Sequence, residues 1–248
     1  MKIALCGSSG KMGQLVIKAA RELNHEIAAE ITSETNWLDC IPAATDVCID
    51  FSSPAGTVNL CTLAAKLKIP VVIGTTGLGS EDLLAIAECA KVIPILMSSN
   101  FSRGMSAMRR IVSKAAEILP GDFDVEIVEK HHSQKKYSPS GTAVSLLNDL
   151  QKIRKNTLVV FGRHGESERR SGEICVHSLR GGDTIGDHEV YFLGQGESIE
   201  IIHRVTNREI FARGAVLAAE WFRKTQKPGL YDLESCNGPD GNFHPKGW

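Results

Sequence analysis

Two adjacent histidines, His131 and His132, and one lysine, Lys135, lie close together in EIVEKHHSQKKYSPSGTA, residues 126–143. Histidine ionises near neutral pH, so its side chain can deliver or accept a proton during a reaction. Lysine carries a charge that can hold an anionic substrate. The Ser-Pro-Ser-Gly run interrupts regular structure, and the hydroxyl of Ser140 could cap a helix whose first N–H groups attract carboxylates or phosphates. These residue types predict a site that binds an anion and transfers a proton.

A β-strand must present the histidines, because the residues before them alternate between apolar and polar. Val125 and Ile127 are apolar, whereas Asp124 and Glu126 are charged. This two-residue period is typical of a strand with one buried face, and it places the histidines where the strand ends, near 130. A solvated loop remains the alternative for any one of these residues taken alone. Only their combination indicates a site.

A second chemical pattern lies at the start of the chain. The apolar strand 2–6 leads into the turn GSSGKMG, 7–13, and then into a helical pattern over 14–23. A strand, a tight turn and a helix start allow backbone N–H groups to approach a pyrophosphate. The match to the dinucleotide fingerprint G-x-G-x-x-G is partial, because Ser9 and Met12 stand at two of its glycine positions.

Glu30 supports a dinucleotide site, because it ends the next predicted strand, 26–31, about twenty residues beyond the turn. An acidic side chain there accepts hydrogen bonds from the adenosine ribose and repels a 2′-phosphate. The alternative is a surface glutamate at a strand end. No arginine directly follows Glu30, so we expect NADH to be used at least as well as NADPH, unless Lys11 reaches the 2′-phosphate.

The apolar runs of the first hundred residues alternate with helical stretches, and further strands are predicted at 46–51, 71–73 and 92–96. This rhythm predicts an α/β domain over 1–102 with a Rossmann-like, doubly wound parallel sheet. Ligands bind beyond the carboxyl ends of the strands in such sheets. Here those ends carry small polar residues, so we expect their turns to line one crevice.

The pattern changes after about 102 to a helix at 106–118 and then to alternating strands at 124–130, 173–179, 188–193 and 198–203. It predicts a second α+β domain over 103–211 with a mixed, mainly antiparallel sheet. A helix at 212–222 is expected to return and complete the first domain, within 212–248, before a poorly ordered tail at 237–248. Four arginines, Arg163, Arg169, Arg170 and Arg180, are interpreted as a solvated face.

The composition excludes several classes of protein. A net charge of −1 gives no reason to expect nucleic acid or an anionic membrane as partner. The seven cysteines are widely spaced, with no C-x-x-C pair, and are interpreted as reduced core residues. No leader pattern and no apolar run of membrane-spanning length is evident, so a cytoplasmic location is expected.

The motifs together resemble the dihydrodipicolinate reductase (4-hydroxy-tetrahydrodipicolinate reductase) family over nearly the whole chain. The strongest match is E-x-H-H-x-x-K-x-x-x-P-S-G-T-A from Glu129 to Ala143. The others are G-x-x-G-x-M-G at 7–13, IDFSSP at 49–54, IGTTG at 73–77, NFSRG at 100–104, R-G-G-D-x-x-G-x-H at 180–188 and GLYDL at 229–233. Tyr137-Ser138 depart from the family's usual Asp-Ala, but His131 and Lys135 keep their places.

The resemblance implies a reductase of lysine and diaminopimelate biosynthesis that transfers hydride from NADH or NADPH to 4-hydroxy-tetrahydrodipicolinate, a cyclic dicarboxylate. It implies a homotetramer built through the sheets of the second domain, and no metal. His131 would be the general acid or its stabiliser and Lys135 would hold substrate charge, while His132, Gly141 and Thr142 would bind the carboxylates. The dinucleotide crevice would be lined by Gly7, Ser8, Ser9, Gly10, Lys11, Met12, Glu30, Gly74, Thr75, Thr76, Ser98, Ser99, Asn100 and Phe101.

Substrate and cofactor would lie on different domains, so domain closure is expected, with hinges near 102 and 211. Two other functions stay open. A dinucleotide-binding regulator would keep the N-terminal turns but would not need His131 and Lys135 at their four-residue spacing. A metal-dependent hydrolase could use His131 and His132, although no second histidine cluster accompanies them.

Overall fold

The structure is a computed structural model that describes residues 1–35, 40–222 and 227–233. The chain divides into two compact units, one formed by Met1–Ser102 with the chain from Glu209 onward, and the other by Arg103–Arg208. The first unit begins with β1 (Lys2–Cys6), α1 (Lys11–Glu22), β2 (Glu26–Ile31), β3 (Val47–Asp50), α2 (Pro54–Leu67), β4 (Val71–Ile73), α3 (Ser80–Ala90) and β5 (Pro94–Met97). The second contains α4 (Arg103–Ile118), β6 (Asp124–His131), α5 (Gly141–Ile153), β7 (Leu158–Phe161), β8 (Glu173–Arg180), β9 (Asp187–Leu193) and β10 (Ser198–His203). The first unit then ends with α6 (Glu209–Phe222) and β11 (Gly229–Tyr231).

The sheet of the first unit is parallel, with strand order β11-β5-β4-β3-β1-β2. Its strands are buried on both faces: Ile3 and Leu5 pack in the cluster that contains residues of α1 and α6, whereas Ala4 and Cys6 pack with α2 and α3. Helices therefore cover both sides, and the prediction of a Rossmann-like, doubly wound sheet is confirmed. The strand order reverses between β1 and β3, which is the position where such sheets bind ligands.

The boundaries of the first unit differ from the sequence prediction at a few points. Helix α1 begins at Lys11, three residues before its predicted start, so the turn after β1 is shorter. Helix α6 likewise begins at Glu209 rather than 212. Strand β11 was not predicted, because its three residues, Gly-Leu-Tyr, are too few to show an alternating pattern. The tail at 237–248 lies outside the described residues.

The sheet of the second unit has the order β10-β9-β6-β8-β7. The pairs β6–β9 and β9–β10 are antiparallel, whereas β6–β8 and β7–β8 are parallel. The sheet is mixed, as predicted, but the expected excess of antiparallel pairing is wrong. Helix α5 carries the chain back from the end of β6, so β7 and β8 run in the same direction as β6. Strand β7, Leu158–Phe161, was not predicted.

One face of this second sheet is covered by α4 and α5. Val125, Ile127, Val176 and Val190 on the strands pack with residues of both helices. Residues at alternate positions, such as Glu126, lie on the opposite face. Tryptophan and other large aromatics are few in this core, which consists mostly of aliphatic side chains and methionine.

Three of the four arginines do not form the solvated face that the sequence suggested. Arg163 and Arg169 both pair with the carboxylate of Glu126, and Arg180 pairs with the fully buried Glu129. Only 20–23% of each of these three side chains is exposed. Arg170 is exposed, as predicted. The ion pairs join residues far apart in sequence, so no local pattern could reveal them.

The described cysteines are free thiols, and Cys6, Cys48, Cys61 and Cys175 are buried, in agreement with the prediction of reduced core residues. Burial raises the pKa of the Cys6 thiol to about 12, and it also raises the pKa of Cys48 and Cys61. These thiols are therefore poor nucleophiles. In the part of the chain that the structure describes, no helix is both long and apolar enough to cross a bilayer.

Candidate functional site

A short hydrogen bond of 2.5 Å joins His131 Nδ1 to Glu129 Oε2 at the end of β6. The alternation of the strand places both side chains on the face that α4 and α5 cover, where Glu129 is fully buried. An ionised carboxylate only accepts hydrogen bonds, so Nδ1 must carry the proton of this bond. Glu129 thereby fixes the ring, and Nε2 is the ring nitrogen that lies outside this hydrogen bond.

Glu129 has two further partners. Arg180 donates from Nη1 to Oε2 at 2.9 Å and from Nη2 to Oε1 at 2.7 Å, and the Ser140 backbone N–H donates to Oε1 at 3.2 Å. Burial opposes ionisation, but the hydrogen bonds from His131 and Arg180 outweigh it and lower the pKa of Glu129 to about 2. The carboxylate is therefore charged at neutral pH, next to a histidine and an arginine.

Ser140 begins helix α5 next to this pair. Its hydroxyl accepts a hydrogen bond from the Ala143 N–H at 3.2 Å, which confirms the predicted N-cap. The hydroxyl also lies 3.0 Å from His188 Nε2, and the His188 ring packs edge-on against His131 with centroids 5.3 Å apart. Burial, reinforced by the nearby His131, lowers the pKa of His188 to about 3. His188 is therefore neutral at physiological pH.

The loop after β6 carries the remaining predicted substrate ligands. Lys135 is half-buried, and its backbone N–H donates to the His132 carbonyl at 3.1 Å. Burial lowers the pKa of Lys135; Glu129 opposes this effect and Arg180 adds to it. Burial also lowers the pKa of His132, and the charges around it lower this pKa further. By contrast, the neighbouring Lys136 is exposed.

Arg180 also holds the part of the loop that departs from the family pattern. Its Nη2 donates to the Tyr137 carbonyl at 2.9 Å, while 82% of the Tyr137 residue is exposed. The backbone of this loop is thus tied to the same arginine as Glu129. Gly141 and Thr142 follow Ser140 as the first two residues of α5, where a helix has N–H groups without intrahelical acceptors.

A glycine, Gly186, lies directly against Nε2 of His131. A Cβ atom at Gly186 would stand 3.0 Å from His131 Nε2 and 3.4 Å from Cδ2. A side chain at this position would crowd Nε2. The glycine of the R-G-G-D-x-x-G-x-H motif therefore keeps one side of the imidazole open.

The predicted phosphate turn of the first unit is tightly built. Gly7 has a φ of 81°, and a Cβ there would stand 2.2 Å from the Phe51 carbonyl oxygen. Gly10 occupies the N-cap of α1 and has no side chain with which to cap the helix amides. Ser8 is buried, Met12 is half-buried, and Ser9, Lys11 and, at the end of β2, Glu30 are exposed. The turn fits an anion at the start of α1.

The loop after β4 contains Gly74, Thr75 and Thr76. A Cβ at Gly74 would stand 2.2 Å from the Phe51 ring, so only glycine fits there. The Thr75 hydroxyl donates to Asp50 Oδ2 at 2.6 Å and accepts from the Ser52 N–H at 2.8 Å. Thr76 is exposed. This loop is therefore joined to the loop after β3.

The loop after β5 is closed by its own side chains. Ser98 Oγ donates to the Asn100 carbonyl at 2.7 Å, and Asn100 Oδ1 accepts from the Ser102 N–H at 2.9 Å. Ser99 is exposed. Phe101 is only 1% exposed and packs edge-on against Phe51, with centroids 6.0 Å apart. The Phe101 ring is a core side chain, so only its backbone is suited to a ligand.

The sequence did not predict a role in the site for Glu129, Arg180, His188 or Asp50. A signal for Glu129 existed, since an acid two residues before a histidine in a strand shares its face. The contacts of Arg180 and His188 depend on strand pairing: Arg180 lies opposite His131 in β8, and His188 opposite Glu129 in β9. That pairing could not be read from the sequence.

Within the described residues, Glu126, Cys175 and His177 are the one group of three possible metal ligands, with ligand atoms within 4.8 Å of one another. Glu126 already accepts from Arg163 at 3.0 Å and from His177 at 2.8 Å, and it also pairs with Arg169. A cation would have to compete with two guanidinium groups. The group does not include His131 or His132, on which the hydrolase alternative depends.

Comparisons with known families cover almost the whole chain. Residues 1–101 match the family model described as "Dihydrodipicolinate reductase, N-terminus", and residues 104–236 match "Dihydrodipicolinate reductase, C-terminus". A protein of Clostridium botulinum (strain Eklund 17B / Type B) named 4-hydroxy-tetrahydrodipicolinate reductase is 40% identical over 248 residues, covering 96% of this chain and 98% of that protein. A protein of the same name from Caldanaerobacter subterraneus subsp. tengcongensis is 42% identical over 245 residues, covering 94% and 97%.

Solved structures give the same result for the fold. The dipicolinate-bound dihydrodipicolinate reductase from Paenisporosarcina sp. TG-14 has a TM-score of 0.72 and 25% identity, covering 95% of this chain and 98% of that one. A probable dehydrogenase from Thermotoga maritima has a TM-score of 0.62 at 12% identity and covers 95% and 92%, a likeness of fold alone.

Proposed function

Because this chain belongs to the dihydrodipicolinate reductase family, we propose that its Glu129–His131 pair forms the proton-transfer centre of a 4-hydroxy-tetrahydrodipicolinate reductase. The enzyme is an NAD(P)H-dependent oxidoreductase of lysine and diaminopimelate biosynthesis, in accordance with its relatives. The observation that carries the mechanistic proposal is the 2.5 Å bond between Glu129 Oε2 and His131 Nδ1. Because Nδ1 is occupied by this bond, Nε2 is the atom that we propose faces the substrate.

In this proposal, His131 Nε2–H protonates the substrate carbon adjacent to the one that receives hydride. A reduced nicotinamide, when bound, supplies the hydride. The imidazole is then reprotonated from solvent, so one hydride and one proton are consumed in each turnover. Glu129 holds the ring in one tautomer and stabilises its protonated form, and Gly186 keeps a side chain away from Nε2.

A dianionic substrate needs positive groups, and the described site offers several. We propose that Lys135 and the N–H groups of Gly141 and Thr142 bind the carboxylates, with His132 at the rim. Lys135 is half-buried and Glu129 is already paired with Arg180, so the ammonium is suited to a substrate anion. The dipicolinate-bound dihydrodipicolinate reductase from Paenisporosarcina sp. TG-14 supports this substrate class, because dipicolinate is a cyclic dicarboxylate.

We propose that the first unit holds the nicotinamide nucleotide at the carboxyl ends of its strands. The pyrophosphate would approach the N–H groups at the Gly10 end of α1, where exposed Lys11 adds a positive charge. The turns at 74–76 and 98–101 and the carboxylate of Glu30 complete the predicted contacts. The tight approach of Gly7 and of Gly74 to Phe51 supports a backbone-lined site, since a side chain fits at neither position.

For the choice of nucleotide, we propose that NADH is used at least as well as NADPH. No lysine or arginine occurs between Glu30 and Asp46, so the strand end that should bind the ribose lacks a partner for a 2′-phosphate in the sequence that follows it. The test is kcat/KM for both nucleotides, with Lys11→Ala as the companion variant. A strong NADPH preference that Lys11→Ala abolishes would show that Lys11 reverses the effect of Glu30.

The assembly and location are also proposed. The sheet face opposite α4 and α5 carries Lys130, which pairs with buried Glu189 at 2.6 Å, and the exposed Leu179 and Ile202. We propose that a homotetramer of a cytoplasmic enzyme forms through this face. Light scattering should give four chains for the wild type, and Leu179→Glu should give smaller species. A monomeric wild type would contradict the proposal.

The activity test is a coupled assay with freshly made dihydrodipicolinate, in which nicotinamide absorbance is followed at neutral pH. We expect substrate-dependent oxidation of NADH or NADPH that a chelator does not reduce. Loss of activity on chelation would favour the hydrolase alternative instead. Binding of the nucleotide without oxidation in the presence of substrate would favour a regulator.

A further inference from the structure

A buried carboxylate lies at the carboxyl end of β3. Asp50 is 0% exposed, and it accepts hydrogen bonds from three hydroxyl groups. Ser52 Oγ donates to Oδ1 at 2.5 Å, while Thr57 Oγ1 and Thr75 Oγ1 each donate to Oδ2 at 2.6 Å. A buried charge is retained only when its hydrogen-bonding capacity is filled. These three hydroxyls come from the loop after β3, from α2 and from the loop after β4.

Asp50 lies at the end of β3, next to the point where the strand order of the parallel sheet reverses. Its residue pairs with Cys6 at the end of β1 on one side and with Ile73 at the end of β4 on the other. Its carbonyl accepts from the Gly74 N–H at 2.8 Å. Backbone and side chain of Asp50 therefore both hold the residues that follow β4, at the edge where doubly wound sheets bind nucleotides.

The hydrogen bonds of Asp50 decide what Thr75 can do. The Thr75 hydroxyl donates its one proton to Asp50 and accepts a hydrogen bond from the Ser52 N–H at 2.8 Å. With only 8% of Thr75 exposed, the side chain is turned away from a ligand. The loop after β4 can therefore contact a nucleotide through its backbone, and through the exposed Thr76.

We propose that Asp50 is a positioning residue for the nicotinamide nucleotide, which fixes the loops 51–53 and 74–77 through Ser52 and Thr75. The inference rests on the proposed function, because the nucleotide is the ligand whose affinity it explains. Asp50 does not touch the nucleotide in this account. Its carboxylate takes the hydroxyl protons, so that the two loops present backbone groups in one fixed arrangement.

Only a carboxylate can accept from all three hydroxyls at once. An asparagine at position 50 would turn its NH2 group either toward Ser52, at the place of Oδ1, or toward the two threonines, at the place of Oδ2. Thr57 has a second acceptor, the Ser53 carbonyl at 3.0 Å, and can do without Asp50. Among the described residues, the Thr75 hydroxyl donates to no acceptor other than Asp50. In either orientation, Asp50→Asn removes the acceptor of Ser52 or that of Thr75, so one of the two loops should be released.

The test measures the dissociation constant of NADH by protein fluorescence or calorimetry, with kcat and the KM of the dicarboxylate at saturating NADH. We expect Asp50→Asn to raise the NADH Kd by about 10- to 100-fold, as for the loss of one or two hydrogen bonds to a charged group. The dicarboxylate KM should change less than about threefold. If Asp50 only stabilised the fold, Asp50→Asn would lower the melting temperature without raising the NADH Kd more than the dicarboxylate KM.

Two matched pairs of variants sharpen the result. Thr75→Val should reproduce the rise in NADH Kd, and Thr75→Ser, which keeps the hydroxyl, should recover most of the affinity. Thr57→Val removes another hydroxyl from the same carboxylate, outside both loops, and should leave the NADH Kd within about twofold. In a double-mutant cycle, Asp50→Asn and Thr75→Val should not add.

A folded Asp50→Asn variant with the wild-type NADH Kd overturns the inference. If that variant does not fold, the Thr75→Val and Thr75→Ser pair decides the question, and equal Kd values for the two overturn it. A wild-type protein that neither binds nor oxidises a nicotinamide nucleotide would instead refute the proposed function. The two failures are therefore distinguishable.

Discussion

The substitution Glu129→Gln tests the centre of the proposed mechanism, because it keeps the shape of the side chain and removes its charge. The carboxylate accepts from His131 Nδ1, from both terminal nitrogens of Arg180 and from the Ser140 N–H. A glutamine can offer only one oxygen to these donors, and its NH2 group must face at least one of them. His131 or Arg180 is then left facing a donor.

The cost in stability follows from the pKa of Glu129. Hydrogen bonding lowers it from 4.5 to about 2 despite burial. At about 1.4 kcal/mol per unit, the charged form contributes on the order of 3 kcal/mol. Breaking a buried ion pair from one side costs about 3–5 kcal/mol, so the two figures agree. Because the pKa is depressed in the folded state, this contribution is present above pH 4.5 and lost as the pH falls towards 2.

The effect on rate should exceed what lost stability explains. Glu129 acts through His131, so its removal cannot cost more in kcat than the loss of the general acid itself. A positioned general acid contributes about 10²- to 10⁴-fold to the rate. We expect a fall of about 10²-fold or more in kcat for folded Glu129→Gln, with the NADH Kd unchanged.

Glu173→Gln is the matched control. Glu173 is also a buried glutamate paired with an arginine, Arg163, but it begins β8, seven residues before Arg180 or about 23 Å along the strand. It should lose stability and keep kcat. The reasoning would be refuted if both variants kept the wild-type kcat, or if both lost it equally in proportion to their melting temperatures.

Three further predictions concern the same site. His131→Gln should lower kcat by about 10²- to 10⁴-fold with little change in the NADH Kd. Lys135→Ala should lower kcat/KM for the dicarboxylate by about 10- to 150-fold, as one lost charge-assisted hydrogen bond requires, and Lys135→Arg should recover only part of it. The lowered pKa of His188 means that the unfolded chain binds more protons between pH 6.5 and 3, so stability is lost as the pH falls through that range. In His188→Gln, the melting temperature should therefore fall less than in the wild type between pH 6.5 and 4.5, above the range of Glu129.

Each of these three predictions has a result that would contradict it. A folded His131→Gln enzyme with near-normal turnover would remove His131 from the acid role. Exposed Lys136 is the control for its neighbour: if Lys136→Ala were damaging and Lys135→Ala harmless, the loop would have to be aligned differently with the family. Equal acid sensitivity of the wild type and His188→Gln would mean that other groups account for the loss of stability.

The local elements and their order were determined by the sequence alone. Strands such as Lys2–Cys6, Glu26–Ile31 and Ser198–His203 have the predicted bounds, because alternation or continuous apolarity is a property of neighbouring residues. The Ser140 cap was also predictable, because a hydroxyl before a helical pattern satisfies an amide only a few residues away. The family resemblance rests on the same short motifs.

Only the tertiary structure decided which distant residues meet. Arg180 reaches Glu129 because β8 pairs in parallel with β6, and His188 reaches Ser140 because β9 pairs with β6 from the other side. The same reason explains the error about the mainly antiparallel sheet, since strand direction depends on how the helix between two strands crosses. Ion pairs and buried hydroxyl networks such as that of Asp50 depend on register across strands. A one-residue shift in register would turn each partner to the other face of the sheet, which is why spacing along the chain does not reveal them.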